Sequence, residues 1–132
     1  MIKEHEVLQL LIEAYPQARE ILVESAEYWV PESGSITSHS LLSCIVCSVV
    51  KYFLAGEYEN AQELFDLIEK LVSEGEERVS SAACTCFIES LQNIASCEGE
   101  FEYSHFVSLM GPNATKYAKE WDCFTGVKTN GI

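Results

Sequence analysis

The sequence predicts an all-α fold, with a single domain of about six to seven antiparallel helices stacked as helical hairpins. Apolar residues recur at the three- and four-residue spacings of a helix, and no long alternating stretch indicates a strand. The breaks between these segments are short, which favours antiparallel neighbours. A chain of 132 residues fits one domain, so we expect residues 1–126 to form it and residues 127–132 to be a flexible tail.

Residues that cap or break helices set the expected boundaries. Pro16 can begin the second helix, because proline lacks a backbone N–H that the first helical position would leave unpaired. Thr37 or Ser38 is a suitable N-cap for the third helix, which Gly56 ends. The pair at 111–112, Gly-Pro, starts the last helix. The approximate helical ranges are 3–14, 16–29, 37–55, 57–73, 76–96, 103–109 and 112–124.

The third and fourth helices have the clearest apolar patterns. The third is apolar nearly all round, which indicates a central buried helix. The fourth is amphipathic, with one apolar face at helical spacing. Across the chain, the side chains expected to face the core are Val7, Leu8, Leu11, Ile12, Ile21, Leu22, Ala26, Trp29, Tyr58, Ala61, Leu64, Phe65, Ile68, Leu71, Val72, Val79, Ala83, Cys86, Phe87, Leu91 and Ile94.

Residues 56–61, Gly-Glu-Tyr-Glu-Asn-Ala, resemble the turn between the two helices of a tetratricopeptide repeat. Arrays of that repeat have a period of about 34 residues, and no second copy occurs at that spacing in this chain. The resemblance therefore covers one helical hairpin. A tetratricopeptide-like helical scaffold or adaptor protein is therefore the alternative hypothesis for the function of the chain.

The chain is strongly acidic. It has 21 acidic residues against 8 basic ones, for a formal net charge of -13. Such a chain repels nucleic acid and anionic lipid, so we expect neither direct nucleic-acid binding nor membrane binding. Because complementary charge steers proteins together, the acidity favours a basic protein partner. Acidity that serves only solubility is the alternative.

No export or membrane signal is evident in the sequence. The N-terminal residues carry acids instead of the long apolar run of a signal peptide. The longest apolar stretch, residues 41–55, is interrupted by Ser43, Ser48 and Lys51 and is too short to span a bilayer. We therefore expect a cytoplasmic protein, in a compartment that keeps cysteines reduced.

Cysteines and histidines are the candidates for metal or redox chemistry. Cys44 and Cys47 share a helix face, but Cys84 and Cys86 are two residues apart and point to opposite sides of a helix. No nucleophile elbow, phosphate-binding loop or dinucleotide fingerprint occurs. We expect thiols packed in the core, no metal, no cofactor and no enzymatic activity. The remaining residues of these two types are Cys97, Cys123, His5, His39 and His105.

Two local concentrations of acids form the candidate partner-binding surface. In the first, Glu59, Glu63 and Asp66 step by four and three residues and share a stripe on the fourth helix. Lys70 continues this stripe and can pair with Asp66. In the second, an aromatic residue among acids on a loop can anchor in a basic partner. A solvated helix face and a polar loop are the alternative. The candidate residues are Glu57, Glu59, Glu63, Asp66 and Glu69 in the first group and Glu98, Glu100, Phe101 and Glu102 in the second.

The C-terminal segment resembles a pattern found in known proteins. Residues 109–121 resemble the C-terminal L-x-G-P-x-x-x-x-Y-x-x-x-W stretch of small helical bacterial proteins. Within it, Gly111 and Pro112 are expected to set the helix start. Tyr117 and Trp121 share a helix face and are expected to pack on the core. The whole chain also resembles the immunity proteins of bacterial contact-dependent growth inhibition and related polymorphic toxin systems, which are small, often acidic and cytosolic.

That resemblance implies an immunity protein, or antitoxin, that binds and neutralises one cognate toxin domain. The toxin is commonly a nuclease, and the resemblance suggests a ribonuclease that acts on transfer RNA. Nuclease clefts are cationic because they bind phosphate, so an acidic inhibitor can occlude such an active site. The resemblance carries no functional residue over to this chain.

Overall fold

The computed structural model describes residues 1–26, 37–97 and 104–126 of the chain. In these parts a 3-10 turn at Glu4–Glu6 leads into a series of helices, and the β-type pairing is a single bridge between Ile2 and Gly75. The all-α prediction is confirmed. None of the described helices is both long enough and apolar enough to cross a membrane. The helices are α1 (Val7–Ala14), α2 (Ala18–Glu24), α3 (Ser38–Leu54), α4 (Ala61–Glu74), α5 (77–97), α6 (Ser104–Val107) and α7 (Pro112–Thr125).

The second helix begins later than predicted. Pro16 belongs to a turn, and α2 starts at Ala18. At the other end, Ser25 Oγ donates a hydrogen bond to Ile21 O at 2.6 Å, and Ser25 N donates to the same oxygen at 3.1 Å. Helix α2 therefore ends at Glu24, earlier than the predicted end at residue 29, because Ser25 leaves the helical conformation. Trp29, which was expected to face the core, lies outside the described residues.

Both ends of α3 form as the sequence predicts. Thr37 Oγ1 accepts a hydrogen bond from Ser40 N at 3.2 Å, which is the geometry of an N-cap. At the other end Gly56 has a φ of 79°, a left-handed value that favours glycine. Glu57 N donates to Tyr52 O at 2.8 Å across this glycine. This pairing is that of a Schellman motif, so Gly56 ends α3.

The predicted start of the fourth helix is wrong. Residues 57–60 lie in the connecting turn, and α4 begins at Ala61. Asn60 precedes it with a left-handed φ of 59°, a conformation that asparagine tolerates better than most residues. Tyr58, which was expected to face the core, is instead 59% exposed. A residue in the turn does not follow the helical rotation, so its place in the apolar pattern does not bury it.

Helix α5 contains a feature that the apolar pattern does not predict. It begins as an α-helix at Glu77–Ala82, continues as a π-helix at Ala83–Ile88 and ends as an α-helix at Glu89–Cys97. The hydrogen bonds of a π-helix span one residue more than those of an α-helix, which changes the rotation of the side chains. Phe87 is buried as predicted, and Cys84, which the regular pattern leaves out, is buried as well.

The core lies where α3, α4 and the π-helical part of α5 meet, and α7 packs against the same region. A row of aromatic rings runs through it. Phe87 contacts Phe65 with ring centroids 5.5 Å apart, and Phe65 contacts Phe106 at 5.0 Å. Phe106 contacts Phe53 at 4.1 Å, and Phe53 contacts Tyr58 at 4.7 Å. This row links the buried centre to the exposed turn between α3 and α4.

Most side chains predicted to face the core do so. Helix α3 is central, but it is not buried all round, because Ser43, Cys47 and Lys51 are exposed on one side. Ile12 and Ala26 are half-buried. Fully or partly buried in the core, as predicted, are Val7, Leu8, Leu11, Ile21, Leu22, Ala61, Leu64, Phe65, Ile68, Leu71, Val72, Val79, Ala83, Cys86, Phe87, Leu91 and Ile94.

Candidate partner-binding surface

The first predicted group of acids lies in the turn between α3 and α4 and along α4. Glu57 and Glu59 are in the turn, and Glu63 and Asp66 follow on α4. All four side chains are exposed. Of the predicted stripe, only Glu63 and Asp66 lie on the helix, where residues three apart share a face. The result is a run of exposed negative charge that extends from the turn onto the helix.

The expected ion pair on this surface is replaced by a hydrogen bond. Asp66 Oδ1 accepts from Gln62 Nε2 at 2.8 Å. In the described part of the chain no ion pair joins Asp66 to Lys70, whereas ion pairs do form near the N-terminus, between Lys3 and Glu76 and between Arg78 and Glu4. The negative charge of Asp66 is therefore not neutralised by its neighbour on α4.

Glu69 has an intramolecular role. Its Oε2 accepts a hydrogen bond from Asn113 N at 3.1 Å, and its Oε1 accepts one from Ala114 N at 2.9 Å. These backbone groups are unpaired within the first turn of α7, where the helix dipole also favours a carboxylate. Gly111, the N-cap of α7, allows the close approach, since a Cβ there would lie 2.5 Å from Glu69 Cδ. Glu69 therefore caps α7 from α4 and holds the two helices together.

Two glutamines hold the acidic turn, which is residues 57–60, against the rest of the fold. Gln17 Nε2 donates a hydrogen bond to Glu59 O at 2.7 Å. Gln62 Nε2 donates to Leu109 O at 3.2 Å in addition to its bond to Asp66. The turn and the start of α4 are therefore tied both to the segment before α2 and to the segment before α7.

Two tyrosines, the buried Tyr15 and the partly buried Tyr117, lie close to acids. Burial, together with the nearby Tyr52 and Glu57, raises the pKa of Tyr15 to about 12. Tyr117 Oη donates a hydrogen bond to Glu89 Oε2 at 2.8 Å. Burial and this bond raise the pKa of Tyr117 above its ordinary value. Both shifts oppose ionisation of the hydroxyls. Tyr117 packs on the core as predicted, whereas Trp121 is not part of the core.

A shallow groove of about 540 Å³ lies between α1 and α4. The residues that line it include the apolar Leu10, Ala14 and Leu67 and the acids Glu13, Asp66 and Glu74. Lys70 adds a base to this lining. Because lysine and arginine lay their aliphatic stems along apolar surface and keep the charge in water, such a groove suits basic side chains.

An apolar hollow of about 540 Å³ lies beside the acidic turn. Phe53 and Leu54 of α3, Tyr58 of the turn, Ala61 of α4 and Leu109 before α7 are among its lining residues. Sequence reasoning missed it because the apolar pattern placed Tyr58 inside the fourth helix. The useful signal was Asn60, a residue type suited to a left-handed turn immediately before the helix.

The second predicted group, Glu98, Glu100, Phe101 and Glu102, lies outside the described residues, as does the predicted tail at 127–132. The chain is described again from α6, which is shorter than predicted. Leu109 N donates to Phe106 O at 3.0 Å in the turn that follows it. The role of this second group stays a prediction.

A family model described as Domain of unknown function (DUF7674) matches residues 8–126. The chain belongs to the DUF7674 family. No curated protein and no solved structure matches it. The matched region runs from α1 to Gly126, the C-cap of α7. It therefore contains the acidic turn, the hollow and the groove between α1 and α4.

The cysteines of this DUF7674 protein differ in exposure. Within the described residues, no group of three or more His, Cys, Asp or Glu side chains is placed to hold a metal ion. Cys84 is buried, and Cys44 and Cys86 are partly buried against the core. Cys47 and Cys123 are exposed, so the prediction of core packing is wrong for these two. All five are free thiols, and the side chain of Cys97 lies outside the described part.

We expect the thiols of the native protein to react with a disulfide reagent at very different rates. Burial raises the pKa of Cys84 to about 11, from an ordinary value of 9.0, and the negative charge of the nearby Glu89 is the second cause of this shift. Its thiolate fraction near neutral pH is therefore about a hundredfold lower than that of an unperturbed thiol, and burial also limits access. Cys47 and Cys123 should react first and Cys84 last.

The assignment can be checked with single substitutions. Cys84→Ser should remove one slow equivalent, and Cys123→Ser should remove one fast equivalent. In denaturant without reductant all six cysteines of the sequence should titrate, and elemental analysis should find no stoichiometric zinc. One zinc per chain, or a missing pair of thiols, would contradict the expectation of reduced and metal-free cysteines.

Proposed function

We propose that this DUF7674 protein is an immunity protein that binds a cognate bacterial toxin domain and neutralises it by occluding a basic active site. It acts in the cytoplasm without catalysis of its own, and its target is a nuclease, such as one that cleaves transfer RNA. One observation carries the proposal: the exposed acids of the turn before α4 and of α4 itself adjoin a groove that combines apolar and acidic side chains. The resemblance of the sequence to immunity proteins supplies the class of partner.

The proposed mechanism is attraction between the exposed acids of this protein and the basic residues of a nuclease active site. A nuclease presents lysine and arginine where the phosphates of its substrate bind, so an acidic surface meets complementary charge there. Glu59, Glu63 and Asp66 are exposed and can stay solvated until the partner arrives. Glu69 is left out of this surface because both of its carboxylate oxygens accept hydrogen bonds from α7.

A helical scaffold or adaptor is the second candidate. The observation in its favour is the turn at Gly56 that follows α3 and leads into α4, where the sequence resembles a tetratricopeptide-repeat turn. A scaffold of this kind binds its partners through helix faces and requires no basic active site. The two candidates therefore differ in how strongly binding depends on charge and in whether cells are protected from a toxin.

The decisive experiment reverses the charge of the acidic surface. The Glu59→Lys, Glu63→Lys, Asp66→Lys triple variant should bind the toxin domain encoded beside this gene more slowly. Its association rate should be lower than that of the wild type by a factor of at least about ten. Added salt should slow association of the wild type much more than it speeds dissociation, because screening weakens steering. Surface plasmon resonance at several salt concentrations measures both rates, and survival of cells that express the toxin measures protection.

Two further variants make the result specific. A Glu20→Lys, Glu24→Lys, Glu120→Lys variant changes the net charge by the same amount at exposed positions on α2 and α7. It should retain most of the association rate. A Glu98→Lys, Glu100→Lys, Glu102→Lys variant tests the second predicted group separately. If the variant at Glu59, Glu63 and Asp66 and the variant at Glu98, Glu100 and Glu102 both bind and protect as the wild type does, charge complementarity is wrong. If the host yields no toxin partner, the scaffold candidate is favoured.

A further inference from the structure

The hollow beside the acidic turn brings exposed apolar side chains together. Leu54 is 46% exposed and Tyr58 is 59% exposed, and both line the hollow. Met1, Val23 and Phe124 are also exposed, but none of them lines it. A concave apolar surface between helices, with aromatic residues at its edge, is typical of a binding site.

The walls of the hollow are held in place before any partner binds. Tyr58 packs edge-on against Phe53, and Phe53 packs against the fully buried Phe106. On the other wall, the bond from Gln62 Nε2 to Leu109 O fixes α4 against the segment that precedes α7. A site with fixed walls loses little conformational entropy on binding, which favours affinity.

The charge around the hollow identifies the kind of side chain that enters it. Glu57 and Glu59 flank Tyr58 in the turn. Glu63 is next in sequence to Gln62, which also lines the hollow. All three acids are exposed. A partner that buries an apolar side chain here therefore brings its neighbouring residues against negative charge.

We propose that the hollow formed by Leu54, Tyr58 and Leu109 is the anchor site for one apolar or aromatic side chain of a basic partner, flanked by lysine or arginine. This assignment rests on the proposed function, which supplies the basic partner, and adds the contact that fixes its position. Charge steers the partner to the acidic surface, and burial of the anchor then slows its release. Affinity at such interfaces is concentrated in a few central apolar or aromatic contacts that exclude water.

Three synthetic peptides of equal length test the anchor without the native partner. The first has a phenylalanine flanked by lysines, the second has serine in place of the phenylalanine, and the third has glutamates in place of the lysines. The lysine–phenylalanine peptide should bind at least about tenfold more tightly than the lysine–serine peptide, because burial of the ring adds to the charge attraction. It should shift the NMR signals of Leu54, Tyr58 and Leu109, and the glutamate peptide should not bind.

Variants of the protein show where the ring binds. Leu54→Ser with Tyr58→Ser should reduce the preference for the phenylalanine peptide to near unity and leave the weaker, charge-driven binding of the serine peptide unchanged. Leu54→Ser alone should reduce the preference for the phenylalanine peptide in part. Because Leu54 lies outside the aromatic row, this single variant replaces the double variant if the latter loses its helical circular dichroism. Phe124→Ser, at an exposed site on α7, should keep the full preference.

Equal affinity of the wild type for the two lysine peptides would overturn the anchor site and leave the basic-partner proposal standing. The same holds if the double variant, still folded, keeps the full preference. Equal binding of the glutamate peptide would overturn the claim that the anchor belongs to a basic partner. If neither lysine peptide binds at low salt, the anchor and the charge attraction both fail, and the scaffold candidate is favoured.

Discussion

Replacing Phe87 with alanine should lower the free energy of unfolding by about 3–5 kcal/mol. The side chain is fully buried, and its ring lies 5.5 Å from that of Phe65. It belongs to the π-helical part of α5, which packs against α3, α4 and α7. Because several elements meet there, they cannot all move to fill the space that the ring leaves. We therefore expect a cavity and a cost in the upper part of the range for large-to-small substitutions.

Urea unfolding followed by circular dichroism measures the change. Phe124→Ala removes the same ring from a site that is 82% exposed, and it should change stability by less than about 0.5 kcal/mol. Phe65→Ala should destabilise about as much as Phe87→Ala, because Phe65 contacts both Phe87 and Phe106. A loss below about 1 kcal/mol at both buried sites would mean that this core does not carry the stability of the fold.

The buried faces of the regular helices were predictable because apolar spacing alone defines them. On α4 the residues Leu64, Phe65 and Ile68 follow the helical period and are buried. The π-helix at Ala83–Ile88 was not predictable in this way. It inserts an extra residue into a turn, and whether the packing favours this depends on neighbours that are distant in the sequence.

The candidate site was predictable in its charge but not in its shape. Exposure of Glu59, Glu63 and Asp66 follows from their place opposite the apolar face of α4 or in the turn before it. The hollow depends on where α4 begins, and single-residue boundaries are the weakest part of a sequence-based prediction. With Tyr58 assigned to the helix interior, the sequence offers no exposed aromatic residue at this place.

The role of Glu69 shows a second limit of sequence patterns. Its position on the exposed side of α4 suggested a residue free to bind a partner. Its hydrogen-bond partner Asn113 lies 44 residues further along the chain, and no local spacing connects the two. The contact also requires a glycine at position 111, because a Cβ there would occupy the space that the Glu69 carboxylate fills. Such a pairing becomes visible only when the fold brings both helices together.

This pairing leads to the second large effect that we expect. Glu69→Ala should lower the free energy of unfolding by about 1–3 kcal/mol, because it leaves two N–H groups at the start of α7 without their acceptor. Glu69→Gln keeps one acceptor oxygen but loses the charge, so it should have an intermediate effect. Urea unfolding at neutral pH measures both.

Gly111→Ala should destabilise the protein about as much as Glu69→Ala, although it removes no hydrogen-bonding group. The new Cβ would lie 2.5 Å from Glu69 Cδ and Cγ, so the carboxylate must move away from α7. The backbone at Gly111, with φ of -79° and ψ of 176°, is open to alanine, so strain does not add to the effect.

The double variant separates this mechanism from a general loss of packing. In the Glu69→Ala background the space beside Gly111 is empty, so Gly111→Ala should then be neutral or stabilising by up to about 1 kcal/mol. The two single effects should therefore fail to add by about 1–3 kcal/mol, as expected for residues that act through one contact. Additive losses in the double variant would mean that Gly111 does not act by admitting the Glu69 carboxylate to the N-terminus of α7.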